Sequence, residues 1–388
     1  MLTHPVLIAG GGIAGLAAAL ALARDGRAVR VLEKARVFET VGAGLQIGPN
    51  AVRALKYLDV WDRVGPASFA PPKILIRDGH GGRILQEIAL GGEFERRFGE
   101  PYRVIHRADL LAGLVERARE HSLIELMTSV AVEGFADKSS HVEVKTSAGP
   151  QLAEALLGAD GIRSVIRRGL GQEGALRKRG HILFRALTPF DGPMPDHLAA
   201  ITLWLCRHGH VVHYPVKGGE ALNVIAALDG HWESEEWSAP ADRQELMAHF
   251  PGADRDLLHV LSISASWHKW AAADLSPLES WSRNRTTLIG DAAHAALPYL
   301  AQGAAMALED AVALSRCAER SDTIAQAFAA YESARKPRTR RVAAASLGLS
   351  RAYHAKGPLR LARNAVLRMT DPTRFLDRMA WIYGFDPT

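Results

Sequence analysis

The sequence has few cysteines, and this scarcity narrows the kinds of site it can contain. Its 388 residues include two, Cys206 and Cys317, which stand far apart and in neither a CxxC nor a metal-ligand spacing. The pattern does not indicate a disulfide framework, and it favours a reducing, cytoplasmic setting. We predict no metal ion.

A long uninterrupted apolar run is also missing. The most apolar stretch, residues 6–26, reads VLIAGGGIAGLAAALALARDG. A membrane-spanning helix needs about 20 apolar residues in succession, and the consecutive glycines at 10–12 would weaken such a helix. Residues 1–5 contain no Lys or Arg, so the basic region of a signal peptide is absent as well. We expect neither a membrane anchor nor a secretory leader.

The excess of charge of one sign is small. Lys and Arg number 47 against 42 Asp and Glu, with a pI near 9.3. This favours an anionic cofactor or substrate but is too little to indicate nucleic-acid binding. With 48% hydrophobic and 23% charged residues, the composition is that of an ordinary globular protein. The length predicts two or so domains.

The glycine-rich stretch predicts a βαβ unit. Residues 6–9 form an apolar run, residues 16–24 favour a helix that ends near Gly26, and residues 28–32 are again extended. The turn reads Gly-x-Gly-x-x-Gly at residues 10–15, and Glu33 closes the second strand. Glycines allow the tight turn and the approach of a pyrophosphate, and an acidic strand end accepts hydrogen bonds from a ribose. Spacing alone does not separate FAD from NAD(P).

The rest of the chain predicts an α/β (α+β) protein in which a Rossmann-like cofactor domain is interrupted. Residues 153–157 and 286–289 are further strand-like runs, each followed by a Gly/Asp turn, whereas residues 179–270 are richer in strands. We therefore predict a cofactor domain at 1–178 and 271–345 and an inserted β-sheet substrate domain at 179–270. A helical C-terminal segment follows at 346–388.

Two acidic motifs identify the cofactor through a family resemblance. They are GADGIRSVIR at 158–167 and LIGDAAHAALPYLAQGAAMALEDA at 288–311. Together with the N-terminal glycines, GAGLQIGPNA at 42–51, HRADL at 106–110 and YESARKPR at 331–338, they resemble the group A flavoprotein aromatic hydroxylases, the para-hydroxybenzoate hydroxylase-like family. The resemblance covers nearly the whole chain and implies a tightly but non-covalently bound FAD, with NADH or NADPH as a transient reductant.

The resemblance also implies which residues hold FAD. Asp291 corresponds to the family's aspartate near the ribityl chain, and Asp160 with Arg163 belongs to a motif linked to both FAD and the pyridine nucleotide. A helix that begins near Gly303 would direct its amides at the reduced flavin, whose N1 region becomes anionic. The full predicted set is Gly10, Gly12, Gly15, Glu33, Lys34, Gly44, Arg107, Asp160, Gly290, Asp291, Gly303 and Ala304.

The predicted substrate residues lie on a strand and on the turn before that helix. Period-two alternation in RHGHVVHYP, residues 207–215, puts His210 and Tyr214 on one face. The H-x-x-x-Y pattern resembles that of family members that hydroxylate hydroxybenzoates and hydroxynicotinates, which implies a base at His210 with Tyr214 beside it. Pro298 would border the flavin and Gln302 would contact the substrate.

Other residues near this site are left open by the sequence. His208 and His213 are expected at the surface and His294 near the flavin, while Arg185 could pair with a carboxylate or support the sheet.

The function predicted from this resemblance is aromatic hydroxylation. An FAD-dependent monooxygenase would use NAD(P)H and O2 to hydroxylate a phenolic or N-heteroaromatic acid through a C4a-hydroperoxyflavin. Two alternatives remain open at this point, namely a dehydrogenase or oxidase of the same fold and a non-catalytic redox sensor. A small aromatic substrate and O2 are the expected partners, and a homodimer is among the expected forms.

Overall fold

The computed structural model describes residues 4–38, 42–172, 174–190, 192, 194–234, 236 and 238–387. Within them the strands are β1 Val6–Ala9, β2 Val29–Leu32, β3 Gly44–Ile47, β4 Lys73–Asp78, β5 Ile84–Ala89, β6 Arg103–His106, β7 Ile124–Met127, β8 Val132–Asp137, β9 Val142–Thr146, β10 Gly149–Ala153, β11 Ala155–Gly158, β12 Leu176–Pro189, β13 Ile201–Leu205, β14 Gly209–Val216, β15 Ala221–Asp229, β16 Ser238–Asp242, β17 Ser266–Leu275, β18 Ser282–Arg283 and β19 Thr286–Leu288.

The helices are α1 Ile13–Arg24, α2 Pro49–Tyr57, α3 Trp61–Val64, α4 Gly92–Phe98, α5 Arg107–Arg119, α6 Val165–Gly169, α7 Arg243–Met247, α8 Arg255–Ile263, α9 Asp291–His294, α10 Gly303–Glu319, α11 Ile324–Tyr353, α12 Gly357–Met369 and α13 Pro372–Tyr383. Short 3-10 helices lie at Asp196–Leu198, Lys217–Gly219 and Pro298–Leu300.

The first sheet is a mainly parallel one built around the predicted βαβ unit. Its strand order is β18-β19-β11-β1-β2-β7, and only the short edge strand β18 runs antiparallel to its neighbour. β1 is buried along its whole length and α1 is buried at ten of its twelve residues. The apolarity of residues 6–26 is therefore that of a strand and a helix packed inside a core.

The second large sheet forms the wall of the substrate side. Its order is β16-β17-β12-β15-β14-β13-β4-β5, antiparallel except where β13 pairs with β4. Most of these strands lie within the predicted insertion at 179–270, but β4 and β5 join from residues 73–89. They complete the sheet next to β13 because β4 pairs with it along five residues.

The C-terminal helices extend from the cofactor side to the sheet side. α11 has 30 residues and crosses the predicted boundary at 345/346, and α12 and α13 then turn back. The α/β class with a helical C-terminal region is thus confirmed. No helix among the described residues is both long and apolar enough to cross a membrane.

Candidate active site

The predicted cofactor residues meet at one edge of the parallel sheet. β19, β11, β1 and β2 are neighbours in that order, and all four run in the same direction. Gly10, Glu33, Asp160 and Asp291 follow these strands at or shortly after their carboxyl ends. Ligands of open parallel sheets bind at this edge, so the arrangement defines a cofactor cradle.

The glycine turn of the cradle leaves no room for side chains at two positions. Gly10 has φ +110°, and a Cβ there would lie 2.5 Å from the carbonyl oxygen of Ala159. A Cβ on Gly15 would overlap the carbonyl oxygen of Gly10. At Gly12, by contrast, a Cβ would have no protein atom within 4 Å beyond its chain neighbours. Gly10 and Gly15 are required by the fold itself, whereas the space above Gly12 is open to a ligand.

Glu33 lies beside this turn. Its carboxylate accepts hydrogen bonds from the amides of Gly11, at 2.7 Å, and Ala35, at 2.8 Å. Lys34 is exposed next to it. The ribose contact predicted for Glu33 stays a prediction, but the carboxylate lies at the correct end of β2 to make it.

Asp160 has a structural bond that the sequence did not indicate. Its Oδ2 accepts from the amide of Val165 at 2.6 Å and so holds the start of α6, while Oδ1 is buried without a hydrogen-bond partner among the described residues. A buried carboxylate oxygen is costly to leave unpaired. Oδ1 is therefore a candidate acceptor for a cofactor hydroxyl.

Asp291 begins the short helix α9 on the floor of the cradle. Gly290 before it has φ +61°, and a Cβ there would lie 2.8 Å from Ala14. The Asp291 side chain has an exposed surface although protein atoms surround it, as expected at the bottom of a cleft. Desolvation by these atoms raises the pKa of Asp291, and His294 and Arg107 act in the opposite direction. Arg107, at the start of α5, is thus close enough to interact with Asp291.

A buried charge network supports the cradle from below. Asp310 on α10 accepts from the Gly290 amide at 3.1 Å, His294 at 2.5 Å and Arg335 at 2.7 Å. The adjacent Glu309 accepts from Asn50 at 2.7 Å and pairs with Arg335 at 2.7 Å. His294 is therefore part of this network.

The helix α10 presents free amides to the same cleft. It begins at Gly303 with no acidic residue in its first turn and no side-chain cap, and Gly303 and Ala304 remain partly accessible. Its cap residue Gln302 is buried and accepts a hydrogen bond from Asn50 at 2.9 Å. A helix start of this kind favours negative charge nearby.

These residues fit FAD. The open space above Gly12, the unpaired Oδ1 of Asp160, and the uncapped starts of α1 and α10 suit a long dinucleotide that carries a pyrophosphate at one end and an electron-accepting ring at the other. The cradle therefore defines a dinucleotide-binding protein.

A cavity of about 380 Å³ lies between the large sheet and the C-terminal helices. Its lining is mostly apolar. It is lined by Gln46, Ile74, Ile76, Tyr102, Leu183, Ile201, Leu203, Leu205, His210, Val212, Ile225, Ala227, Pro298, Tyr299, Leu300, Ala301, Leu349, Ala352, Tyr353, Arg363, Val366, Leu367, Thr370, Phe375, Arg378, Met379 and Tyr383. Pro298 belongs both to this lining and to the turn that follows Asp291, so the cavity adjoins the cradle.

His210 is a buried base in the cavity wall. Its side chain is on the same face of β14 as Val212, as the period-two pattern predicted, and its ring makes edge contacts with Tyr299 at 5.0 Å and Tyr353 at 4.9 Å. Burial lowers the pKa of His210 well below its usual value, and His354 and His181 add to this effect. At neutral pH the imidazole is uncharged and able to accept a proton.

Two of the other predicted substrate residues lie outside the cavity lining among the described residues. Tyr214 is buried behind it, against Gly44 and Asn223, because a Cβ at Gly44 would overlap its ring. Gln302 is turned toward Asn50 instead. The substrate contacts assigned to these two side chains stay predictions.

Arg185 lies between the two sites. Burial lowers the pKa of Arg185 to about 10, with Tyr214 and Arg107 as charged or titratable neighbours, and its guanidinium stacks on Trp270 at 4.5 Å. Its Nε has no hydrogen-bond partner among the described residues.

The expectation that His213 is a surface residue is wrong. Its side chain points to the opposite face of β14, is 1% exposed and stacks near Trp204, because that face packs against a second apolar layer. His208, in the turn before β14, is exposed as expected.

Several cavity residues could not be found from the sequence. Gln46, Tyr102, Tyr299, Tyr353, Asp229 and His354 come from six separate segments of the chain. The only available signal was the glycine-rich context of Gln46 in LQIGPN and the position of Tyr299 after the 290s turn. Asp229 and His354 carry no motif.

Comparisons with known proteins agree with this geometry. Residues 3–346 match the family model described as FAD binding domain. The chain is 37% identical over 386 residues to 3-hydroxybenzoate 6-hydroxylase of Polaromonas naphthalenivorans (strain CJ2), covering 98% of this chain and 96% of the relative. The enzyme of the same name from Klebsiella oxytoca is 38% identical over 384 residues, with the same coverage. A salicylate hydroxylase substrate complex has a TM-score of 0.82 and 25% identity, covering 99% of this chain and 96% of that one.

The chain belongs to the FAD-binding-domain family and, within it, to the group A flavoprotein aromatic hydroxylases. It is an FAD-dependent monooxygenase that uses NAD(P)H and O2 to hydroxylate an aromatic compound. The predicted family, cofactor and enzyme class are confirmed.

Proposed function

We propose that this hydroxylase acts on a phenolic acid of the hydroxybenzoate class, which binds in the 380 Å³ cavity with its hydroxyl against His210. The observation that carries the proposal is a neutral, buried imidazole in an otherwise apolar wall. Oxygen transfer to an aromatic ring needs an electron-rich ring, and removal of the phenolic proton supplies the electron density. A histidine that accepts this proton is a general base.

The acid group has a separate polar patch. The hydroxyl of Tyr102 donates to Oε1 of Gln46 at 2.7 Å, which leaves the Gln46 amide nitrogen as a donor for a carboxylate. Tyr214 also interacts with Gln46 from behind the wall. Arg378, which is exposed on α13 and lines the cavity, adds a positive charge at its rim. We assign Tyr214 to positioning of Gln46 rather than to proton transfer.

The cradle and the cavity divide the remaining work. FAD, when bound, supplies the electron transfer and oxygen activation. Pro298 and the turn up to Gly303 separate its ring from the cavity, and the apolar lining excludes water from the reacting atoms. Asp160, Asp291 and Arg107 hold the cofactor in this assignment, as do the backbone amides at Gly12 and Gly303.

A substrate series tests the proposal. The holoenzyme is mixed with 3-hydroxybenzoate, benzoate, phenol and 6-hydroxynicotinate, and NADH or NADPH oxidation is followed with product analysis. We expect 3-hydroxybenzoate to stimulate oxidation and gain one oxygen atom, while benzoate binds without being hydroxylated because it has no hydroxyl for His210. Hydroxylation of benzoate, or preference for 6-hydroxynicotinate, would contradict the assignment.

A homodimer is the second part of the proposal. Of the eight large hydrophobic side chains that are exposed in the described part of the chain, four lie on α12: Leu359, Leu361, Val366 and Met369. An exposed apolar face of this kind is typical of a contact surface. Light scattering should give a dimer mass, and Met369→Glu should lower it while the exposed control Leu152→Glu does not. A wild-type monomer would contradict this part.

We also place the enzyme in the cytoplasm. Cys206 and Cys317 are both free, and burial raises the pKa of each thiol, which suits a reducing compartment. Cell fractionation should recover the flavoprotein with cytoplasmic markers. Recovery with the periplasmic or membrane fraction would contradict it.

A further inference from the structure

Three side chains connect His210 to the protein surface. Nδ1 of His210 lies 3.2 Å from Nε2 of His354 at the end of α11, and Nδ1 of His354 lies 2.6 Å from Oδ1 of Asp229 at the end of β15. Resting on the function proposed above, we propose that His354 and Asp229 set the tautomer of His210 and carry the phenolic proton out of the cavity. They are positioning and relay residues, since His210 alone touches the substrate.

The hydrogen-bond polarity of the chain follows from its acidic end. An ionised carboxylate only accepts hydrogen bonds, so the 2.6 Å contact requires a hydrogen on Nδ1 of His354. Neutral His354 then has a bare Nε2, which accepts from Nδ1–H of His210. His210 is left with its lone pair on Nε2, the nitrogen available to the cavity that it lines.

The proton transfer balances along this chain. The phenolic O–H bond breaks as an N–H bond forms on Nε2 of His210, and the hydrogen on Nδ1 of His210 moves to Nε2 of His354. The His354 imidazolium is then stabilised by Asp229 and loses its proton to water. Exposure rises in the same direction, from 4% for His210 to 26% for the side chain of Asp229.

The charges around the chain favour this direction. Burial lowers the pKa of His354 as well, but the Asp229 carboxylate counteracts the effect, which does not occur at His210. Burial alone would raise the pKa of Asp229, yet the hydrogen bonds from Lys356 and His354 hold it below its usual value. The titratable and charged groups that face the chain, besides its own members, are His181, Tyr299, Tyr353, Lys356 and Arg363.

A metal site is the competing interpretation of part of this cluster. Ligand atoms of His181, Asp229 and His354 lie within 4.8 Å of one another. Two observations favour the relay, however. His354 and Asp229 are already at hydrogen-bond distance, and the ammonium of Lys356 lies 2.6 Å from Oδ2 of Asp229, where it would repel a cation.

Two variants of His354 separate positioning from relay. His354→Gln keeps an oxygen that accepts from Nδ1–H of His210 but takes up no proton, whereas His354→Phe removes the acceptor. NMR of the imidazole nitrogens in the substrate-free holoenzyme should show hydrogen on Nδ1 of His210 in the wild type and in His354→Gln. This preference should be lost in His354→Phe. The opposite tautomer in the wild type, or no change in His354→Phe, would overturn the inference whatever the substrate is.

Turnover with 3-hydroxybenzoate tests the relay step. We expect His354→Gln to lower turnover by about 10- to 100-fold near neutral pH, part of the 10² to 10⁴ that a general base contributes. The deficit should shrink about tenfold per pH unit as the pH approaches that of a free phenol, about 10. Asp229→Asn should behave alike and Asp229→Glu should recover part of the activity.

The controls give each outcome a meaning. The exposed His208→Gln should leave the pH profile unchanged, and all variants should keep their FAD. A wild-type pH profile in His354→Gln would overturn the relay, and loss of activity on addition of a chelator would favour the metal site over it. If the wild type hydroxylates no phenolic acid, the proposed substrate fails, while the NMR result still decides the tautomer role.

Discussion

The cofactor cradle takes its shape mainly from the backbone, whereas the substrate cavity takes its shape from side chains. In the cradle, strand ends and tight glycine turns bring amides and a few carboxylates together within short sequence motifs. In the cavity, residues from distant strands and helices each contribute one side chain. Changes in the cradle should therefore alter FAD content, and changes in the cavity should alter catalysis at constant FAD content.

The largest expected effect is on the cavity side. Replacing His210 by Phe removes the base, so hydroxylation should fall by about 10² to 10⁴-fold. FAD content should stay the same because His210 lies outside the cradle. Single-turnover product formation and flavin absorbance per protein measure the two quantities. An unchanged rate would show that His210 is only a wall residue.

The next effect concerns the network under the cradle. Arg335→Met leaves Glu309 and Asp310 buried with one cationic partner fewer, and removal of one partner from a buried ion pair costs about 3–5 kcal/mol. Urea unfolding should show this loss of free energy. Arg340→Met, an exposed substitution on the same helix, is the control. Equal stability of the two variants would mean that the buried charges relax without Arg335.

A smaller, more selective effect is expected at Gly12. A methyl group there meets no protein atom within 4 Å, so Gly12→Ala should leave the stability of the apoprotein unchanged. The affinity for FAD should fall by about 10- to 100-fold because the methyl group occupies space above a phosphate-binding turn. Fluorescence titration of the apoprotein with FAD measures it, with Gly81→Ala as a neutral control. Unchanged affinity would place the pyrophosphate elsewhere.

The smallest effect is a pH dependence of stability on the sheet side. Burial lowers the pKa of His213 from its usual 6.5 to about 3, so the native state stays neutral where the unfolded chain takes up a proton. This contribution is fully present above about pH 6.5 and is lost as the pH falls toward 3, by about 1.4 kcal/mol per pH unit. His213→Gln should flatten the slope of unfolding free energy between pH 6 and 4.

The exposed His208→Gln serves as the control for this slope. It should leave the pH dependence of the unfolding free energy as it is in the wild type. Equal slopes in the two variants would show that His213 is protonated without cost in the folded state.

The same comparison explains what could be predicted from the sequence. Gly10, Glu33, Asp160 and Asp291 lie in contiguous motifs, and a parallel sheet brings the carboxyl ends of its strands together, so the cradle followed from local patterns. The helix predicted at 16–24 begins at Ile13, since an uncapped glycine turn gives no side-chain start signal.

The cavity could not be derived in the same way. Alternation predicted the face of β14 that carries His210, but not that Tyr214 would be covered by Gly44 or that His213 would face a second core. Asp229 and His354 are 125 residues apart and meet only because α11 crosses the end of β15. No spacing rule connects residues whose proximity depends on the packing of a helix on a sheet.

The most direct test of the account is the coupling of reductant to product. The holoenzyme is given 3-hydroxybenzoate and NADH or NADPH, and the hydroxylated product is compared with the reductant consumed. The account predicts that the substrate accelerates oxidation, that each reductant yields one product molecule, and that His210→Phe diverts the oxygen to hydrogen peroxide. Reductant oxidation that is unaffected by 3-hydroxybenzoate and yields only hydrogen peroxide would contradict it.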